Sequence, residues 1–367
     1  MTAQTDSIPS PERRPETRDD PAPSNAPGRR FRARPLAIAY ASLFMVLGAL
    51  VAVIAYAGSA TGGRPLIALK VSPFPSASEA NRSASAASFG TTRESGGNLI
   101  ADPQLIENSL LGPLPRIAPG GRTPMSAYAR KVDGTDKRPK IAIVLRGLGV
   151  GAANTNLALS ALAPEVTLGF VPFAADLQSE VDKARGAGHE VLIEVPMEPF
   201  DFPDSDPGPH ALLTGASVEE NAKRLDWALS RATGYLGAMN LLGGRLMGEA
   251  AAIEPVLGET ARRGLLFFDN GASSSSVAIT AARHMKAAIA TGTLTLDLVQ
   301  TQASIDAKLA ELESAARQDG SAIGVASAYS VSIARVADWA ANASARGFQL
   351  VPISALARQP ATLASSE

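Results

Sequence analysis

Between Pro139 and Leu356 the chain alternates apolar runs of strand length with amphipathic helical patterns, and this alternation limits the fold more than any other feature of its 367 residues. Strands are expected at "IAIVL" (141–145), "VTLGFVPF" (166–173), "HEVLIEVP" (189–196), "YLGAMN" (235–240), "GLLFFDN" (264–270), "LTLDLV" (294–299), "SAIGVAS" (321–327) and "FQLVPIS" (348–354). Helical patterns fill the gaps, at "NTNLALSALA", "LQSEVDKARGAG" and "VEENAKRLDWALSRA", and near 249–263, 301–318 and 331–346. Ser217-Val-Glu-Glu220 has the S-x-x-E shape of a capping box at the start of the third of these helices. Strand and helix in strict succession make right-handed βαβ units and a mostly parallel sheet. The expected fold is α/β, a deformed (β/α) barrel of about seven βα units, with function at the C-terminal ends of its strands.

The chain before Pro139 reads differently. Residues 1–35 are rich in Pro, Arg, Ser, Asp and Glu and are expected to form a disordered cytoplasmic arm. Residues 36–58, "LAIAYASLFMVLGALVAVIAYAG", carry no charge. At about 1.5 Å per residue they span a hydrocarbon core of roughly 30 Å. Arg29, Arg30, Arg32 and Arg34 precede this run, and the next basic residue is Arg64, so the charge bias places the N-terminus in the cytoplasm and the rest outside. A cleaved signal peptide is the alternative, suggested by "AYAG". The apolar run is long for a signal, and the segment before it is extended. A single-pass anchor in a bacterial inner membrane, with the C-terminal domain periplasmic, is therefore expected. Residues 59–138, dominated by Ser, Ala, Gly and Pro, are expected to be a flexible linker. Short apolar patches at 105–111 and 114–117 interrupt it. The domain proper is expected at 139–356, with a disordered tail at 357–367.

Formal net charge is −1, which gives no reason to expect a nucleic-acid partner. The absence of cysteine excludes disulfides, thiolate metal sites and a cysteine nucleophile. The three histidines offer no metal-ligand spacing: His189 begins a strand, His210 lies in a proline-rich loop, and His284 sits late in a helical pattern. The strand ends supply Arg146, Phe173, Glu198, Asn240, Asp269, Asp297, Ser327 and Ser354. Gly147-x-Gly149-x-x-Ala152 has the shape of a dinucleotide fingerprint, but the end of the second strand has Pro172 and Phe173 where a ribose-binding acid belongs. A dinucleotide site is the least favoured reading.

"IAIVLRGLG", "VTLGFVPF", "GHEVLIEVPMEP", "GYLGAMNLLGGRLM", "GLLFFDN" and "RGFQLVPIS" resemble, in order and spacing, the divergent polysaccharide deacetylases. The resemblance covers residues 139–356. It implies a NodB-like barrel and hydrolysis of N-acetyl groups on envelope glycans, with a divalent metal such as Zn²⁺ held by one Asp and two His. The family pattern has Asp-Asp-Leu-Gly after the first strand, where this chain has Arg146-Gly147-Leu148-Gly149. It has a histidine where this chain has Leu241, and another where it has Ser327. None of the implied metal ligands is present, so no metal and no cofactor are expected. Arg146 brings a permanent positive charge to the place of the metal, and is expected to pair with Glu198 or Asp269. Arg146, Glu198, Asn240, Arg245 and Asp269 are the candidate pocket. Each has a structural alternative, such as Glu198 accepting backbone N–H bonds or Arg245 in an ion pair. Ser273–Ser276 has no histidine near it to make a catalytic triad. The expected function is a pseudoenzyme that binds envelope glycan or a periplasmic protein. An active deacetylase with a rearranged site is the alternative.

Overall fold

The computed structural model describes residues 101–271 and 273–359. The arm at 1–35, the anchor at 36–58, residues 59–100 and residues 360–367 lie outside the described residues. No described helix is long and apolar enough to cross a membrane.

The core is a parallel sheet built as expected. Its strands are β3 (Lys140–Leu148), β4 (Thr167–Phe170), β5 (Val191–Met197), β6 (Gly237–Leu242), β7 (Leu266–Asp269), β8 (Ala288–Thr291), β9 (Leu294–Thr295), β10 (Ser321–Ser327) and β11 (Gln349–Leu350). The spatial order is β8-β7-β6-β5-β4-β3-β10-β9, and β11 pairs with the first residues of β3. Between the strands run α2 (Ala152–Ala161), α3 (Leu177–Gly186), α4 (Val218–Leu229), α5 (Ala250–Arg262), α6 (Ala278–Met285), α7 (Gln302–Asp319) and α8 (Ser330–Asn342). The Ser217/Glu220 capping box is present at the start of α4.

The sheet curls until one segment serves both edges. β8 pairs with β7, and two residues later β9 pairs with β10. At the switch, Gly292 N–H donates to the Asp269 carbonyl at 2.8 Å and Thr293 N–H to the Ile323 carbonyl at 2.8 Å. A Cβ on Gly292 would lie 2.5 Å from the Asn270 carbonyl oxygen, so the crossing requires glycine. The unit of α6 and β8 is not among the expected strands. "AIAT" is short, and its two alanines dilute the β preference of Ile289 and Thr291, so it does not stand out in a sequence; it is a strand because β7 offers it an open edge. "LTLDLV" is strand only at its first two residues.

Alternation across each strand separates two apolar surfaces. Ile141, Ile143, Leu145, Ile193, Val195 and Phe267 pack against the helices. Ala142, Val144, Leu192, Met239, Leu266, Phe268, Ile323 and Val325 fill the inside of the curl.

The expected boundary at 139 is corrected by what closes that interior. Residues 101–138 fold onto the barrel and are not linker. They form a hairpin, β1 (Ile106–Ser109) and β2 (Gly112–Pro115), and a short helix, α1 (Pro124–Tyr128). Leu105, Ala118, Met125 and Tyr128 join the inner cluster and are buried with it. The apolar patches at 105–111 and 114–117 are short and set among Gly, Pro and polar residues, without the period of a strand or helix, so they read as linker. The boundary at 356 also moves, because Arg358 exchanges backbone hydrogen bonds with Ile289 at 2.7 and 3.1 Å.

Arg263 fastens the hairpin to the barrel. Its side chain is 3% exposed and lies 2.7 Å from Glu107, 3.1 Å from Asp226 and 2.6 Å from Glu259. It also donates to the Pro115 carbonyl at 2.9 Å. Replacing it leaves three partly exposed carboxylates facing one another without their shared cation. Arg263→Ala is expected to lower unfolding free energy by about 3 kcal/mol, measured by urea denaturation. A loss below about 0.5 kcal/mol would mean the hairpin does not depend on this residue.

Candidate functional site

The parallel strands deliver their C-terminal ends to one mouth, and the site is read from what they carry there. On β3, Arg146 lies level with Ser327 of β10, so both belong to the inner face. Beyond Arg146 the β3–β4 register shifts, and Gly147 adopts φ +81°, a left-handed conformation that favours glycine. The bulge turns the Gly147 N–H inward, where it donates to Glu194 Oε1.

Glu194 is the residue that the sequence reading missed. It is fully buried on β5, level with Met239, and inside the curl. Gly169 of β4 supplies its space: a Cβ there would lie 3.3 Å from Glu194 Oε1 and 2.7 Å from Met239 Sδ. Glu194 Oε2 has no hydrogen-bond partner. Burial pushes the carboxyl up to about 7, against the opposing pull of the Gly147 N–H and the Arg146 charge. The available signal was parity: Glu194 shares a strand face with Leu192 and Pro196, in a strand otherwise apolar throughout.

The expected pairing of Arg146 with Glu198 or Asp269 does not occur. Arg146 makes no ion pair among the described residues, and the acid that feels its charge is Glu194. Glu198 is committed elsewhere. Its Oε2 accepts the Thr214 N–H at 2.6 Å and the Thr214 hydroxyl at 2.8 Å, and its Oε1 lies 3.3 Å from Arg245. Its carbonyl accepts the N–H groups of Arg245 and Leu246. Glu198 and Arg245 thus tie together the loops after β5 and β6, as their structural alternative proposed.

Asn240 and Asp269 lie on the strand face opposite Met239 and Phe268, so neither side chain enters the curl. Asn240 Oδ1 accepts the Asn270 N–H at 2.9 Å, and its Nδ2 donates to the Leu242 carbonyl at 2.7 Å. Leu242 has φ 58°, a strained conformation for leucine, and that hydrogen bond helps to hold it. Asp269 accepts the Gly271 N–H at 3.0 Å and the Ser276 hydroxyl at 2.6 Å, which absorbs the serine run. Asp297 Oδ2 accepts the Ser327 N–H at 2.7 Å and the Ser332 hydroxyl at 2.8 Å, fixing the end of β10. Ser354 is bonded to Glu190, ahead of β5, and so lies at the opposite end of the barrel from the mouth.

The histidines are spoken for. His189 Nδ1 lies 2.8 Å from the Val166 carbonyl, His210 stacks on Trp227 at 3.7 Å, and His284 lies 3.0 Å from Glu254. Among the described residues, no group of three or more His, Cys, Asp or Glu could hold a metal ion. The donor set at the mouth does not fit a divalent cation: a guanidinium at 146, an alkyl chain at 241 and a neutral hydroxyl at 327.

A family model described as divergent polysaccharide deacetylase matches residues 143–357. The chain belongs to that family. The crystal structure of the uncharacterized protein ATU2773 from Agrobacterium tumefaciens C58 is 42% identical, with a TM-score of 0.65, and covers 67% of this chain and 99% of that one. The uncharacterized protein YibQ from Escherichia coli (strain K12) is 25% identical over 186 residues. That match takes in 51% of this chain and 57% of YibQ, so the chain spans little more than half of that relative. The family membership agrees with the curled parallel sheet and the serial order of the motifs.

Glu194 makes stability depend on pH in a definite direction. Its carboxyl titrates near 7 when folded and near 4.5 when free, so the folded state holds the proton more tightly between these values. Stability therefore falls as pH rises from about 4.5 to about 7 and is level beyond, by about 3 kcal/mol in all. Glu194→Gln is expected to remove this slope, seen by urea denaturation at pH 5 and pH 8. Parallel curves for the two proteins would show that Glu194 titrates normally.

Proposed function

We propose that this chain is a catalytically degenerate member of the family, anchored in a bacterial inner membrane by residues 36–58, whose periplasmic barrel binds envelope glycan. One observation carries the reading: the strand ends converge on one mouth, and the positions where the family pattern has metal ligands carry none. Metal-dependent deacetylation needs an ion to acidify a water and to polarise the amide carbonyl. Arg146, Leu241 and Ser327 cannot supply the ligands: a guanidinium repels a metal ion, an alkyl chain has no lone pair and a neutral hydroxyl is a poor ligand.

Binding is supported by the rim. Val150, Phe173, Phe200, Leu298 and Tyr329 are exposed, and each lies in a loop that follows a strand's C-terminal end. Phe173, Phe200 and Tyr329 offer ring faces, which suit the apolar faces of sugar rings. Exposed apolar groups gathered at one end of a domain mark an interaction surface.

A second reading has one observation in its favour. Glu194 is a buried acid poised near neutrality, as a general acid or base requires. It supports an active hydrolase with a rearranged site.

Two measurements on the full-length protein separate these readings. Titration of Zn²⁺, Co²⁺ and Mn²⁺ is expected to give no stoichiometric binding, and incubation with chitooligosaccharide or peptidoglycan fragments is expected to release no acetate. Acetate release abolished by Glu194→Gln would establish the hydrolase instead. Retention of a periplasmic protein but of no glycan would replace the glycan with a protein partner.

A further inference from the structure

A cavity of about 320 Å³ opens at the end of β3, lined by Arg146, Val150, Asn154, Ser327 and Tyr329 together with glycine and alanine backbone. No carboxylate lines it. Arg146 makes no ion pair among the described residues, and the acid nearest in effect, Glu194, lies behind Gly147 with its charged form disfavoured by burial. A guanidinium at a strand end with no counter-ion is an unusual arrangement, because an arginine beside a protein wall normally finds a carboxylate or a carbonyl. The polar neighbours add to it. Ser327 Oγ makes no hydrogen bond among the described residues, and Asn154 Oδ1 accepts the Ser330 hydroxyl at 2.9 Å, which leaves its NH₂ as a donor. The helices that border the cavity, α2 and α8, have no acidic residue in their first turns. Among the residues that line the cavity, Arg146 carries the one formal charge.

We propose that Arg146 holds the carboxylate of an acidic sugar in this cavity. The proposal rests on the glycan reading above and adds the chemical class of the sugar. A single guanidinium fork matches a planar monoanionic carboxylate with two parallel N–H···O bonds, whereas a dianionic phosphate would remain half-compensated. The Tyr329 ring, 43% exposed, stands at the cavity edge as a platform for the pyranose ring. Ser327 and Asn154 are placed to meet its hydroxyls. Val150, 71% exposed, closes the outer side without charge.

The test compares oligoglucuronate with chitooligosaccharide of equal length, titrated into the full-length protein by calorimetry. The oligouronate is expected to bind at least tenfold more tightly. Arg146→Ala is expected to remove that preference while chitooligosaccharide affinity stays within about twofold. Val150→Glu, an exposed substitution that leaves the core untouched, is expected to weaken the oligouronate several-fold more than the chitooligosaccharide, and it serves if the Arg146 variant folds poorly. Equal binding of both glycans by the wild type, or an unchanged preference in Arg146→Ala, would overturn the proposal and leave the glycan reading standing. Binding of neither glycan would end both, and so would tight binding of a short acidic peptide in their place.

Discussion

The backbone of residues 288–295 is hydrogen-bonded first to β7 and then to β10, and the geometry of the mouth depends on this sharing. An open parallel sheet would splay its strand ends along a line. Pulling both edges onto one segment curls the sheet and gathers the strand ends into one mouth, where the end of β3 lies beside that of its sheet neighbour β10 and β5 stands two strands away. The crossing depends on Gly292, which passes so close to the Asn270 carbonyl that no larger residue fits without displacing β7. The loop carrying Asp269, Asn270 and Gly271 is therefore under the same constraint as the barrel itself. Its hydrogen bonds to Asn240 and Ser276 are consequences of closure.

The interior formed in this way is filled unequally. At the N-terminal end it is apolar, and the anchors of residues 101–128 complete it, as Arg263 clamps the hairpin from outside. Toward the mouth the filling changes to Glu194, Gly169 and Arg146. A fully buried carboxyl with one unpartnered oxygen is a cost in folding free energy. Nothing in the packing demands it, since a leucine or methionine of similar volume would fill the space without a polar atom. A residue that is expensive to the fold and unneeded by the core is best understood through the site above it. The bulge at Gly147 links the two, because the N–H that quiets Glu194 belongs to the residue next to Arg146.

The sequence makes the scaffold readable where a strand is both β-branched and bounded by glycine or proline. β3, β5 and β10 meet that condition over seven or more residues, whereas β8 is four residues long, half of them alanine, and borrows its conformation from β7. The strap at 101–138 was illegible for a related reason: its burial rests on Leu105, Met125 and Tyr128, spaced among residues that favour loops. The strand ends gave Arg146, Glu198, Asn240 and Asp269 correctly as residues near the mouth. They could not give direction. Parity turns Asn240 and Asp269 away from the interior and Glu194 into it, and a one-residue step along a strand decides which. The pairing expected for Arg146 failed because Glu198 is satisfied locally by Thr214 and Arg245, a loop contact with no signature in the spacing of the motifs.

Arginine at 146 has an electrostatic logic that the loss of a metal by itself does not. The family resemblance implies a divalent cation held by one aspartate and two neutral histidines, a site of net charge about +1. Here arginine stands in place of the aspartate, and its guanidinium puts about +1 at the same strand end. On the reading proposed above, the attraction of the mouth for a negatively charged group is kept. Lewis acidity is not, because a guanidinium can donate hydrogen bonds to an oxygen but has no empty coordination position and cannot turn a bound water into hydroxide. On that reading, the substitution separates two properties that a metal supplies together, recognition of negative charge and bond cleavage. It also changes what is recognised. A metal takes the neutral carbonyl oxygen of an amide as a ligand, whereas an arginine in a partly desolvated cavity discriminates in favour of full negative charge on two oxygens.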